Sequence, residues 1–545
     1  MGKKKEKILL FLVFGLILRQ HLVMGFIPGL AFVYDVLDKM NAIHDVHSKL
    51  STPSSADLME ATEKLSGKID KLGPQIMEHI DRAVEALLTR LPLLGEITGD
   101  VRLLNSYIGR IDTFYNEMKL YLNHSEWYTE KDLRELLTLF ISHDSGKVSD
   151  VIAQLNFLVV PHRLAAMKES LFLLLGEETK GRGGEMCDTY GPPQQRLLDL
   201  YDIILETEMR SFLMTTFGYI MQDFLDKENS TGGLKRAESS YMHRVQRYEA
   251  AVRQGMKKSS RTFRRCDPPN WVRDESFYEM KSFSPPKPLY GVNLRPMEAD
   301  TDRNMIVTGI AFTRKSSLLA LRVEVAELKA SGYILNETAV WLEPEDIGFD
   351  SGKSQFFLMD DESTKLATDK DVSVLSLSYK RIHLDKVTLP PDEVVTGVRF
   401  TRRGNDHGKP IQLEIRSTRV DYDKGILYSD SNKWIQPKEP VYVNGERRAE
   451  YKETDFRGPQ NNMMTSIDAE PMSFIDFDWS QTSWDGYTTA VPLLDGVPVI
   501  ADPRTPLAGI AIYHKKAAGY SGFLTFVLEG FDKSNYNIDV GANPF

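Results

Sequence analysis

The sequence predicts a multidomain protein of the α-then-β class. An elongated antiparallel helical bundle is followed by a pseudo-threefold all-β domain, β-prism-like, with a Greek-key β-sandwich as the alternative. Three observations carry this. At 545 residues the chain exceeds what one core supports. Apolar residues recur at helical steps as far as residue 258, and beyond Cys266 the period falls to two, with one segment occurring three times. Hydrophobic residues make up 42% and charged residues 26%, near globular averages, which excludes a disordered or membrane-embedded chain. Lys plus Arg number 67 against 77 for Asp plus Glu, a net charge of -10, so nucleic acid is excluded as a leading partner.

The amino terminus has the layout of a secretory leader: lysines at 3, 4, 5 and 7, an apolar run from Ile8 to Leu18, and small or aliphatic residues at Val23-Met24-Gly25. The run would reach about 16 Å as a helix, half of a bilayer core. The expected organisation is a signal peptide at 1–25, a helical bundle at 26–258, a basic and Pro-rich linker at 259–289, an all-β domain with three repeats at 290–532, and a tail at 533–545. Secretion favours pairing the two cysteines, Cys187 and Cys266, in a disulfide. It also gives meaning to three glycosylation sequons, at Asn123, Asn229 and Asn336.

Within the helical part, Val101, Leu104, Ile108, Ile111, Tyr115, Met118 and Leu122 form an unbroken heptad-like stripe, and Met77, Ile80, Val84, Leu87 and Leu91 form another. Thr129 with Asp132 has the spacing of a capping box. The most apolar helix spans Leu197 to Leu225. Its charges, among them Glu206, Glu208 and Arg210, make it a buried central helix rather than a membrane span.

In the β part, Ile306–Phe312, Val394–Phe400 and Pro506–Ile512 share one pattern with a glycine at Gly309, Gly397 and Gly509. Each is preceded by a second match, at Leu289–Leu294, Leu384–Leu389 and Leu494–Val499, and followed by an alternating strand. A fixed mid-strand glycine predicts close approach of a neighbouring backbone or ring.

Catalytic signatures are missing: the sequence has no GxSxG, HExxH, Walker A or dinucleotide fingerprint, so neither an enzyme nor a cofactor is expected. His44 and His47 make half of a metal site without a second half, so no metal is expected. Asp421–Gly425 starts like a calcium loop but lacks the closing glutamate, and reads as a β-turn. The basic run Lys257, Lys258, Arg261, Arg264 and Arg265 reads as a solvated helix end, with acidic-glycan binding or dibasic cleavage as the functional option. The best ligand face is aromatic: Phe477, Trp479, Trp484 and Tyr487, with Phe474, interleaved with Asp476, Asp478 and Asp485. Aromatic planes beside carboxylates suit sugar stacking with hydroxyl hydrogen bonds, and the same alternation also fills β cores.

The element Val395-Thr396-Gly397-Val398-Arg399-Phe400, preceded by Leu384 to Pro391 and followed by Leu413 to Ile415, resembles an uncharacterised family of secreted insect proteins known only as a domain of unknown function. The resemblance implies an extracellular arthropod setting and carries over no site residues. In architecture alone, the chain is similar to three-domain insecticidal toxins, which place a helical bundle before a β-prism. The expected function is therefore a secreted, non-enzymatic protein whose β domain binds an extracellular protein or glycan partner while the bundle scaffolds it. The alternative is a membrane-active protein that inserts the bundle.

Overall fold

The computed structural model describes residues 95–161, 169–180, 187, 191–226, 231–282, 291–315, 318–376, 379–402, 410–437, 449–453, 455–469, 473–479 and 488–536. The leader, the stripe from Met77 to Leu91, His44 and His47 lie outside them. The chain divides into two compact units. Among the described residues, one holds 95–178 and 196–259, and the other 179–195 and 260–536.

The helical unit is built from α1 (Gly95–Asn123), α2 (Glu130–Ile141), α3 (Val148–Val159), α4 (Leu171–Lys180), α5 (Pro193–Asp226) and α6 (Thr231–Lys258). The α1 stripe is the buried face: Val101, Leu104, Ile108, Ile111, Met118 and Leu122 are in the core, and Tyr115 packs against it. Thr129 caps α2 by accepting from the Asp132 amide, while the Asp132 carboxylate accepts from the Thr129 amide at 2.8 Å. Helix α5 is central and carries buried charge. Arg210 bonds Asp112 of α1 and Glu206 one turn back. Glu208, wholly buried, accepts from Arg244 Nε and Nη2 and from the Tyr248 hydroxyl of α6, all at 2.8 Å. Burial pushes the Glu206 carboxyl up to about 7, against the lowering pull of Arg210. Helices α4 and α6 meet backbone to backbone, since a Cβ on Gly176 would stand 2.3 Å from the Gly255 carbonyl oxygen.

The β unit opens with β1 (Thr262–Phe263) and β2 (Phe277–Ser282). The first repeat follows as β3 (Gly291–Asn293), β4 (Met297–Glu298), β5 (Met305–Lys315), β6 (Leu318–Leu328) and β7 (Ile334–Leu342). A small sheet of β8 (Ile347–Asp350), β9 (Gln355–Leu358) and β10 (Lys365–Leu366) intervenes before β11 (Val372–Val374). The second repeat is β12 (Arg381–His383), β13 (Val387–Thr388), β14 (Glu393–Arg402), β15 (Ile411–Asp421) and β16 (Ile426–Ile435), then β17 (Ala449–Tyr451), β18 (Ser466–Ala469) and β19 (Ser473–Asp476). After β20 (Asp478–Trp479), the third is β21 (Thr488–Asp495), β22 (Val499–Ile500), β23 (Leu507–Lys516) and β24 (Phe523–Gly530).

Three large mixed sheets share one strand order: β11-β3-β6-β5-β22, β19-β12-β15-β14-β4 and β2-β21-β24-β23-β13. In each, a long antiparallel hairpin carries a bulge at Gly309, Gly397 or Gly509. One two-residue strand of each repeat crosses to the next: β22 pairs at Gly309, β4 at Gly397 and β13 at Gly509. The pairing closes in a cycle. A Cβ would stand 3.2 Å from Val499 O at Gly309, 3.0 Å from Met297 O at Gly397 and 2.9 Å from Val387 O at Gly509, so the glycines admit the crossing backbone. The residue opposite each glycine is Glu324, Arg416 or Glu529, and each is ion-paired from the preceding repeat, by Arg504 (2.8 Å), Glu298 (2.9 Å) and Lys386 (2.7 Å). The core lies where the sheets face one another, with Phe312 stacked on Phe526 at 4.1 Å and on Phe400 at 6.4 Å.

Within residues 259–289, expected as a linker, β1 and β2 complete the third sheet, and 283–289 lie outside the described residues. β1 lies on β24 as β7 lies on β6, and β2 lies on β21 as β11 lies on β3. Arg261 is taken up by Glu529 at 2.5 Å and Arg264 is buried, so neither is a solvated helix end; Lys257 and Lys258 are exposed in the last turn of α6. Of the expected tail, residues 533–536 fold onto this unit, with Tyr536 packed on Tyr422 and Phe531. The chain between α4 and α5 also belongs to it. Gln194 donates to Asp532 at 3.0 Å and accepts from the Lys533 amide at 3.2 Å. The Cys187–Cys266 disulfide, with Cα atoms 4.7 Å apart, fastens that excursion. The expected bond is present, and both cysteines belong to the β unit.

Gly397→Ala should destabilise the protein by about 1–3 kcal/mol, because the crossing backbone must shift. Gly458→Ala, whose Cβ meets nothing within 4 Å, should be neutral, and denaturant unfolding of the two variants checks both. Reducing the disulfide, which closes 79 residues, should remove up to about 4 kcal/mol and speed proteolysis near residues 187–192. Unfolding curves and cleavage maps with and without reductant measure this.

Candidate functional site

The structure splits the aromatic face expected from the sequence. Strand β19 alternates, so Ser473, Ile475 and Phe477 face the core while Phe474, Asp476 and Asp478 face away. Phe477 is 0% exposed and belongs to the main core, which removes it from any ligand surface. Trp479 is half-buried against that core. Trp484, Asp485 and Tyr487 lie outside the described residues.

What remains is a strip capped by two cations at the start of the neighbouring strand β12. Register pairs Arg381 of β12 with Asp476 of β19. The Arg381 guanidinium lies 3.7 Å from the Phe474 ring centre and donates to both Asp476 oxygens, at 2.8 and 3.3 Å. Lys380 bonds Asp478 and stands 5.7 Å from the Trp479 ring centre. Each ring therefore carries a cation and each carboxylate a partner. This gives a polar-edged aromatic surface with both charge signs.

Strand β17 borders Phe474 and joins the strip to a network around the buried His514. The Tyr451 hydroxyl donates to Asp468 at 2.6 Å. Asp468 also holds His514 Nδ1 at 2.6 Å, while His514 Nε2 lies 3.4 Å from Glu453, whose other contacts include the Gly522 amide and Lys516. Gly522 is required here, because a Cβ would stand 2.0 Å from His514 Nε2. Burial opposes the charge on His514, but Asp468 and Glu453 outweigh it and raise its pKa. Burial and the Asp468 carboxylate push the Tyr451 phenol up. On the other face of β23, Lys515 is 1% exposed between Asp267 (2.7 Å) and Asp495 (2.6 Å), beneath Trp271. Burial raises Asp267 less than Lys515 and Thr465 lower it.

His514 is 0% exposed, whereas Asp468, which holds its Nδ1, is exposed. Sequence reading missed Lys380, Arg381, Tyr451, Asp468 and His514, because each acts through cross-strand register. Among the described residues no cluster of His, Cys, Asp and Glu could hold a metal ion. Asp421–Gly425 is the turn between β15 and β16, with the Asp421 carboxylate accepting from the Lys424 amide at 3.2 Å. Among the described residues no helix is long and apolar enough to cross a membrane. Asn336 is exposed on β7, Asn123 ends α1, and Asn229 lies outside the described residues.

The class these features define is a two-part protein, helical first and rich in mixed β-sheet second. Over residues 184–284 the chain matches a family described as a domain of unknown function, DUF4803. The match holds both cysteines, α5, α6 and the two strands that complete the third sheet, whereas the Val395–Phe400 element that carried the resemblance lies outside it. No curated protein matches the chain.

Since the folded state raises the pKa of His514, its protonation adds stability that is full below about pH 6.5 and is lost as pH rises through the folded value. The stability gap between the wild type and His514→Gln should therefore narrow from pH 5.5 to pH 9 in denaturant unfolding. An equal gap at both pH values would contradict the assignment.

Proposed function

We propose that the protein is secreted and acts outside the cell as a non-enzymatic binding protein. The β unit takes an extracellular protein or glycan partner, and the helical unit is its scaffold. The observation that carries this reading is the strip of Phe474, Asp476, Asp478 and Trp479 with Arg381 and Lys380 laid over its rings. The disulfide and the exposed sequon at Asn336 support an oxidising compartment. The strand order shared by three sheets supports a β-prism-like fold over a two-sheet Greek-key sandwich.

A glycan array and a pull-down with the full chain test the proposal. Phe474→Ala and Arg381→Ala should each weaken capture about tenfold, on the scale of a desolvated cation–π contact. Unchanged capture by both variants sinks the assignment of the strip, and hydrolysis of a defined substrate that survives stringent purification sinks the non-enzymatic claim.

A further inference from the structure

The repeats share one more element. Val340-Trp341-Leu342-Glu343-Pro344 on β7 corresponds to Lys433-Trp434-Ile435-Gln436-Pro437 on β16. Trp341 pairs with Glu324, which faces Gly309, and Trp434 pairs with Arg416, which faces Gly397, so the two indoles occupy one equivalent rung. A guanidinium lies over each ring, from Arg322 at 5.0 Å and from Arg399 at 4.1 Å. Each guanidinium is held by a carboxylate: Arg322 Nη1 lies 3.6 Å from Glu343, and Arg399 donates to Glu414 at 2.6 Å while the Gln436 amide takes the other Glu414 oxygen. At the third position stands Thr262 of β1, with no indole.

The Trp341 site holds a buried polar atom that has no hydrogen-bond partner in the structure, Nε of Arg322, and a second such atom, Oε1 of Gln412, lies further along β15 from the rung of Trp434. Gln412 lies two residues from Glu414 on β15, so it shares that face. A core tryptophan would be enclosed, yet both indoles are half-buried beside exposed neighbours, Val340 and Gln436. An unsatisfied buried group costs about 1–3 kcal/mol unless a ligand or water completes it.

We infer that Trp341 and Trp434 are the platforms of two saccharide subsites. The indole would stack on the C–H face of a pyranose, while the flanking guanidinium, carboxylate and amide groups would bond its hydroxyls. Two indoles at corresponding rungs, each with a cation and a carboxylate beside it though from different positions, suit a ligand that shows the same unit more than once, such as a polysaccharide or a clustered glycan, rather than the single face of a folded protein. The inference rests on the proposed glycan-binding role of the β unit but uses different residues from the Phe474 strip.

The test uses the full chain on glycan surfaces of low and high density. Trp341→Ala and Trp434→Ala should each lower capture at high density by about 10- to 100-fold, the scale of lost avidity, and the double variant should abolish it. A Trp341→Phe/Trp434→Phe double variant, which keeps stacking, should retain most binding and controls for folding. In the wild type, saturation transfer from indole protons should reach the bound sugar. Glycan capture that survives in the double alanine variant, or a bound glycan that receives no transfer from an indole, overturns these subsites while leaving the glycan role standing. A wild type that captures a protein but no glycan overturns both.

Discussion

At Gly309, Gly397 and Gly509 a peptide carbonyl from the preceding repeat occupies the space a Cβ would need, and the residue across the hairpin carries a charge that the preceding repeat neutralises. A two-residue strand supplies too few backbone hydrogen bonds to hold such a crossing alone. The ion pairs supplement it, most strongly at Arg504, which grips both oxygens of the nearly buried Glu324 at 2.8 Å. Polarity is reversed in the second repeat, where the acid, Glu298, comes from the crossing strand. Docking Glu298 against Glu324 or Glu529 would juxtapose like charges in a partly buried setting, so the charge pattern selects which repeat follows which.

The same closure explains why the domain boundaries are not those of the linear pattern. β1 and β2 stand where β7 and β11, or β16 and β19, stand in the other repeats, so the chain enters the cycle partway through its third member. The excursion at 179–195 is fixed to this unit by Gln194 and by Cys187, although helices of the other unit flank it in sequence. The segment matching the family of unknown function therefore combines two long helices with strands that need β21 and β24 to be sheet at all.

Long-range periodicity was legible. The α1 stripe, the capping box at Thr129, the three glycines and the burial of the α5 core all follow from spacing and residue type. Two-residue strands were not, because two residues show no alternation, and β1 is flanked by arginines, Arg261 and Arg264, that read as surface until Glu529 and the acids around Lys515 are placed beside them. The candidate strip was half legible. Alternation marked Phe474 through Trp479 as strand, but whether Phe474 or Phe477 faced solvent depended on the register with β12. The tryptophan rung at 341 and 434 was present in the sequence as a short repeat, hidden by the differing insertions around it.

A strand that waits for its neighbour has a history in time as well as a place in space. On a ribosome β1 and β2 emerge long before β21 and β24, so through the synthesis of the first two sheets their edges have no native partner. Open edges invite pairing with other chains, and a contact between the first and last strands of the unit is also among the slowest kinds to form. The brevity of β1, the arginines that bracket it and the prolines at 268 and 269 make that edge a poor template for a stranger. The third sheet can therefore be completed only after β21 and β24 have been made.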